Sequence, residues 1–195
     1  MTLSLRQRRR LETARDIQKV TLKLSEQNGL DNITTDEIAA AAGVSTRTFF
    51  NYYKNKEAAA IGVPPTFREE DKDALRNGTG PLAADLKRLL DKHIETLAND
   101  EALLQMVGKV LRSNEKARGI LDGHLMVERD ALTECLYGRV KNQQAAAALA
   151  SNTTDTVGRA IFLWEHEDGM SLGAALDVVW EGLIAASRLL GASES

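Results

Sequence analysis

Three prolines, all between Pro64 and Pro81, divide this 195-residue chain into two proline-free stretches, 1–63 and 82–195, through which helices can run unbroken. No alternating pattern of strand period accompanies them, so an all-α fold is expected. A composition of 43% apolar and 27% charged residues is that of a globular chain. The lone cysteine, Cys135, excludes an internal disulfide framework and a cysteine-rich zinc or iron–sulfur site. No apolar run approaches the roughly 18 residues that a spanning helix needs, and no apolar signal core follows the N-terminal arginines. A cytoplasmic protein without membrane contact is expected.

Helical periodicity places a first helix over about Arg6 to Gln27, with Leu11, Ala14, Ile17, Val20 and Leu24 on one side and Asn28-Gly29 as its stop. Thr34 and Glu37 have the spacing of a capping box, opening a short helix that ends before Gly43. Ser45 can cap the next helix, Thr46–Tyr53, and two short helices joined by a glycine turn make a helix-turn-helix. Asn55 can cap a fourth helix over Lys56–Gly62, ended by Pro64-Pro65. A polar stretch, Arg68–Gly80, follows. Beyond it, apolar stripes predict helices over Leu82–Leu97, Leu103–Leu111, Glu115–Val140, Ala145–Glu165 and Leu172–Leu190. The expectation is an N-terminal three-helix helix-turn-helix head on a C-terminal helical bundle, about nine helices in all, divided as 1–60 and 61–195.

The net charge of −3 hides an asymmetry: residues 1–60 carry 10 Lys+Arg against 7 Asp+Glu, the remainder 15 against 21. A basic head on an acidic body suits a polyanion partner. The helix Thr46–Tyr53 presents polar groups at Thr46, Arg47, Thr48, Asn51 and Tyr52, while Phe49 and Tyr53 can face a core. Such a helix fits a major groove, where Arg reads guanine, Asn reads adenine and a Thr methyl meets a thymine methyl. A solvated helix face is the bland alternative. Against it stand Arg6, Arg8, Arg9 and Arg10 at the first helix's start and Lys56 at the fourth's, ends where the helix dipole disfavours cations unless a phosphate binds.

These residues resemble the TetR-type transcriptional regulators over about Leu11 to Ala59. Ile38-Ala39, Ala42-Gly43-Val44-Ser45, Thr48-Phe49-Phe50, Tyr52-Tyr53 and Lys56-Glu57 stand where that family's motif puts them. The resemblance implies a homodimer on a double-stranded DNA operator, with the last two helices of each subunit paired and a small-molecule effector cavity in the body, coupled to the heads through the fourth helix. It implies that Thr35 and Ser45 touch phosphate, that Thr46, Arg47, Thr48 and Asn51 face DNA, and that Tyr52 and Lys56 bind the backbone; Arg8, Arg9 and Lys54 complete the DNA-binding set. Arg47 stands where the family has glycine and Phe50 where it has tyrosine, so Phe50 is left as a packing or thymine-methyl residue.

Rival chemistry finds little support. His93, His124 and His166 have no partner at metal-ligand spacing, Glu165–Asp168 point in different directions around a helix end, and Cys135 lies on an apolar stretch with Leu132 and Leu136. Neither a phosphate-binding loop nor a nucleophile elbow occurs, so no enzyme, cofactor or metal is expected. Met106, Leu125, Met126, Tyr137 and Trp164 could line an effector cavity for an apolar or amphipathic molecule, or simply pack a core. The last helix is apolar on several faces, among them Leu176, Val178, Trp180 and Ile184, which a dimer would cover. The expected function is a DNA-binding repressor released by a small effector; the alternative is a helical protein-interaction or small-molecule-binding module without DNA binding.

Overall fold

The computed structural model describes residues 4–191. Its elements are α1 (Leu5–Asn28), a single 3-10 turn (Leu30–Asn32), α2 (Thr35–Ala41), α3 (Thr46–Tyr52), α4 (Lys56–Ile61), α5 (Glu69–Asn77), α6 (Leu82–Ala98), α7 (Glu101–Ser113), α8 (Glu115–Val140), α9 (Gln143–His166) and α10 (Leu172–Gly191). The all-α expectation holds, with ten α-helices among the described residues against the nine expected. The extra one is α5, inside the polar stretch Arg68–Gly80, where no helix was expected. It has no apolar period: only Leu75 is a buried apolar side chain. Electrostatics hold it instead, with Glu69, Glu70 and Asp71 at its positive end and Arg76 at its negative end. Side-chain pairs three apart join Arg68 to Asp71, Glu69 to Lys72 and Asp73 to Arg76.

The chain forms two compact units. The first comprises the chain up to Pro64 together with Asp100–His124, and the second Pro65–Asn99 together with the chain from Leu125 onward. In the first, helices as short as α2, α3 and α4 bury little by themselves. Ile17 and Leu22 of α1, Ile38 of α2 and Phe49 of α3 therefore share a core with Val110 of α7 and Ala117 of α8, and Leu103, Met106 and Val107 pack against it. Ion pairs reinforce the join of α1 to α7: Arg15 to Asp100 at 2.5 Å and Lys109 to Glu26 at 2.5 Å. Asp100 also caps α7 through the Leu103 N–H, and the Arg15 guanidinium beside it holds its carboxyl below the usual carboxylate range.

In the second unit α10 packs on α9 and α6. Ala146, Ala150 and Ala160 on α9 are fully buried, as are Ala175 and Leu176 on α10, while α6 supplies Leu86, Leu89, Leu90 and Ile94. Buried Thr153 and Thr156 satisfy their hydroxyls on the carbonyls four residues back, at 2.7 Å each. Arg139 of α8 pins the α5–α6 connection, donating to Asp85 at 2.6 Å, Leu75 O at 3.0 Å and Gly80 O at 2.5 Å. Cys135 is buried and donates its thiol to Lys72 O at 3.1 Å; burial pushes the thiol up, away from nucleophilic chemistry. His93 packs on Phe67 with ring centroids 4.5 Å apart, and burial lowers its pKa to about 4 against the opposing bond with the Thr66 backbone. Among the described residues no helix is long and apolar enough to cross a membrane, and no cluster of His, Cys, Asp and Glu is arranged to hold a metal ion.

Candidate nucleic-acid interface

The local sequence builds the helix-turn-helix cap by cap. Thr34 accepts from the Glu37 N–H at 3.2 Å while Glu37 accepts from the Thr34 N–H at 2.7 Å, the reciprocal pairing expected of a capping box. The Thr34 N–H and, at 2.9 Å, the Thr34 hydroxyl both donate to the Glu37 carboxylate and hold it below its ordinary value. At the far end of α2, Gly43 adopts φ 68°, and two bonds, Gly43 N–H to Ala40 O and Val44 N–H to Ala39 O, close a Schellman turn. Ser45 then caps α3 by accepting from the Thr48 N–H at 3.1 Å. Phe49 is completely buried, and the Tyr53 hydroxyl donates to Ala14 O at 3.0 Å, fixing the end of α3 against α1.

With Phe49 and Tyr53 turned inward, helical geometry turns Arg47, Phe50 and Asn51 outward, and all three are exposed. Thr46, Thr48 and Tyr52 are half-buried. Between α3 and the start of α1 runs an open groove of about 700 Å³, walled by Arg6, Arg9, Arg10 and Thr13 on one side and Thr48, Asn51 and Tyr52 on the other. The Arg10 guanidinium lies over the Tyr52 ring, 5.6 Å from its centroid. Arg6 and Arg10 were expected only as cations at the start of the first helix, outside the residue-by-residue DNA-binding set, and Thr13 was not singled out; the signal for the three is the 6–9–10–13 spacing, one helix face, from which Arg8 is rotated away. Arg8 and Lys54 are exposed, as is Ser45, and Thr35 is half-buried at the start of α2.

Lys56 does more than the sequence suggests. Its ammonium donates to Asp31 O at 2.8 Å and Ile33 O at 3.0 Å, closing the carbonyl end of the Leu30–Asn32 turn. The cation at the start of α4 therefore has an intramolecular reason to be there, and the inference that only phosphate explains it is corrected. One of its three N–H groups is left for another acceptor.

The residues considered for an effector cavity lie in both compact units. Met106 packs against the core of the first. In the second, Trp164 is buried, Leu125 is half-buried, and Met126 and Tyr137 are 62% and 43% exposed.

Residues 17–59, which contain the caps, the glycine turn and the Phe49 anchor, match the family model described as "Bacterial regulatory proteins, tetR family". That segment is a TetR-family DNA-binding domain. The "Putative mycofactocin biosynthesis transcriptional regulator MftR" of Mycobacterium tuberculosis (strain ATCC 25618 / H37Rv) is 28% identical to it, over 90% of this chain and 93% of that protein. Two solved structures share the fold: the fatty acid degradation regulator FadR from Bacillus halodurans, at TM-score 0.54 and 21% identity over 90% of this chain and 96% of that one; and FadR from Bacillus subtilis in complex with stearoyl-CoA, at TM-score 0.50 and 24% identity over 87% and 97%. The DNA-binding element of this TetR-family domain is the helix-turn-helix of α2 and α3.

Proposed function

We propose that this regulator is a cytoplasmic repressor that binds a pseudo-palindromic operator as a homodimer and leaves it when an amphipathic acyl effector binds. The observation that carries the reading is the groove: Thr48, Asn51 and Tyr52 of α3 face Arg6, Arg9 and Arg10 of α1, and Arg47 is exposed on the same helix, so base-reading and phosphate-binding groups lie close together. Arg47, Thr48 and Asn51, with the Thr46 methyl, face base edges. Arg6, Arg8, Arg9, Arg10, Thr35, Ser45, Tyr52, Lys54 and Lys56 hold phosphates. The functional division follows: residues 1–60 bind DNA, while 61–195 bind the effector and dimerise.

Dimerisation through α9 and α10 is supported by apolar side chains that one chain leaves in water: Phe162 at 62%, Val178 at 53%, and Leu189 and Leu190 at 79% and 91% exposed. An acyl effector is supported by the stearoyl-CoA complex of the Bacillus subtilis protein, whose fold this chain shares. An effector favouring the dimer with its heads misplaced weakens DNA binding by the same factor that DNA weakens effector binding.

Selection from a random duplex library tests the reading. Enriched sequences should show two inverted half-sites about one helical turn apart, and long-chain acyl-CoA should release them. Enrichment of no motif, or of a single half-site, would refute the operator-bound dimer; release by no acyl thioester would refute the effector class.

A further inference from the structure

Asn114 sits at the corner where α7 ends and α8 begins, and it is only 6% exposed. Its amide is engaged at both ends. The side-chain oxygen accepts from the Ala117 N–H at 2.8 Å and so caps α8, while the NH₂ group donates to the Asp31 carboxylate at 3.0 Å, across 83 positions of sequence. Chemistry fixes which end is which, because a carboxylate only accepts and an N–H only donates. Asp31 lies in the Leu30–Asn32 turn, and its main-chain carbonyl is one of the two oxygens that hold the Lys56 ammonium. A continuous run of hydrogen bonds therefore leads from the first turn of α8, through Asn114 and Asp31, to the lysine at the first turn of α4, all within the first compact unit.

We propose that Asn114 is a positioning residue for DNA binding, and that the α7–α8 corner is a route by which movement in this chain reaches the DNA-facing surface. The proposal rests on the reading of Lys56 as a phosphate ligand. The Leu30–Asn32 turn is three residues long and hangs between Gly29, at φ 81°, and the extended Ile33. Leu30 and Ile33 seat its two ends in the core, but nothing apolar fixes Asp31, which is exposed. The Asn114 donor supplies that constraint, and with it the placement of the carbonyl to which Lys56 is tied. If the corner withdraws, the turn relaxes and the ammonium loses the alignment in which its remaining N–H meets a phosphate. The other end of α7 is fastened as well, by Asp100 to Arg15, so α7 cannot shift without pulling on α1 or on this turn.

The test separates capping from relay. Asn114→Asp keeps an N-cap of equal quality but removes the donor and sets a second carboxylate against Asp31. Asn114→Ser keeps a cap too short to reach Asp31. The double variant Asp31→Asn/Asn114→Asp rebuilds the pair with its polarity reversed. Duplex affinity is measured against salt for each, beside wild type and Lys56→Ala, on protein whose folded state is verified by thermal unfolding. Asn114→Asp and Asn114→Ser should each lose roughly tenfold in affinity, within the range for coupled neighbours, and about 0.9 in the log–log salt slope, one phosphate. The double variant should recover both. Unchanged slopes in folded Asn114→Asp and Asn114→Ser, or a double variant that recovers stability without affinity, would overturn the relay. If Asn114→Asp does not fold, Asn114→Ser and the double variant decide in its place. A Lys56→Ala variant with the wild-type slope would overturn the phosphate reading of Lys56, and this proposal with it.

Discussion

The hydroxyl of Thr46 donates to the carboxylate of Asp36 at 2.5 Å, tying the first residue of α3 to the first turn of α2. Ser45 and Thr48 are likewise engaged with one another, their hydroxyl oxygens 2.8 Å apart. The helix-turn-helix thus uses its own hydroxyls to hold its turn. By contrast, among the described residues the side chains of Arg47 and Asn51 form no hydrogen bond or ion pair within the protein.

Base discrimination should therefore fall on Arg47 and Asn51. Asn51→Ala is expected to relax preference at one operator position, costing roughly 1–3 kcal/mol against the preferred base, and Arg47→Ala at another. Competition binding with single-base operator variants checks this. Equal loss on every sequence would make both residues backbone contacts.

Thr46 should contribute its methyl rather than its hydroxyl. Thr46→Val, which keeps a methyl at that place, is expected to retain the operator preference, and Thr46→Ser to lose it at one position. The opposite order in the same assay would assign the contact to the hydroxyl.

Lys56→Ala should show two losses. Affinity should fall for all duplexes alike. Stability should fall too, by about 1–2 kcal/mol, because the carbonyls of Asp31 and Ile33 lose a charged donor. Urea unfolding without DNA isolates the second effect, and a stability equal to wild type would remove the structural role.

The helix-turn-helix was legible because each of its parts is local. Thr34 and Glu37, Ala42-Gly43 and Ser45 act within a few residues of themselves, and Phe49 and Tyr53 follow a single helical period. Contacts between distant residues leave no such trace. Neither Asp36 nor Asn114 carries any sign in the sequence of its partner, Thr46 or Asp31, and the second task of Lys56, holding the Leu30–Asn32 turn, is equally hidden. Helix α5 escaped for a different reason: its stabilising pairs are charged, and apolar periodicity cannot register them. That α7 helps build the first unit's core was equally hidden, since an amphipathic stripe does not say which neighbour it faces.

Acidification should weaken the second unit through His93. Its folded pKa of about 4 lies below the usual 6.5, so the unfolded chain binds a proton the folded chain refuses. The stability this implies is fully present above pH 6.5 and is lost as the pH falls toward 4, at up to about 1.4 kcal/mol per pH unit. Urea midpoints between pH 7 and pH 4 should drop accordingly, and His93→Phe should flatten that segment. An equal slope in the variant would place the effect elsewhere.

The groove between α1 and α3 is most directly tested by titrating a labelled duplex from the protein's own promoter region across a range of salt. Affinity should fall steeply, at about −0.9 in the log–log slope for each phosphate held, and replacing Arg6, Arg9 and Arg10 together by alanine should make the slope shallower by two or three such steps, on the order of one per arginine. A protein that retains no duplex even at low salt, or whose slope is unaffected by losing those three arginines, would contradict the account.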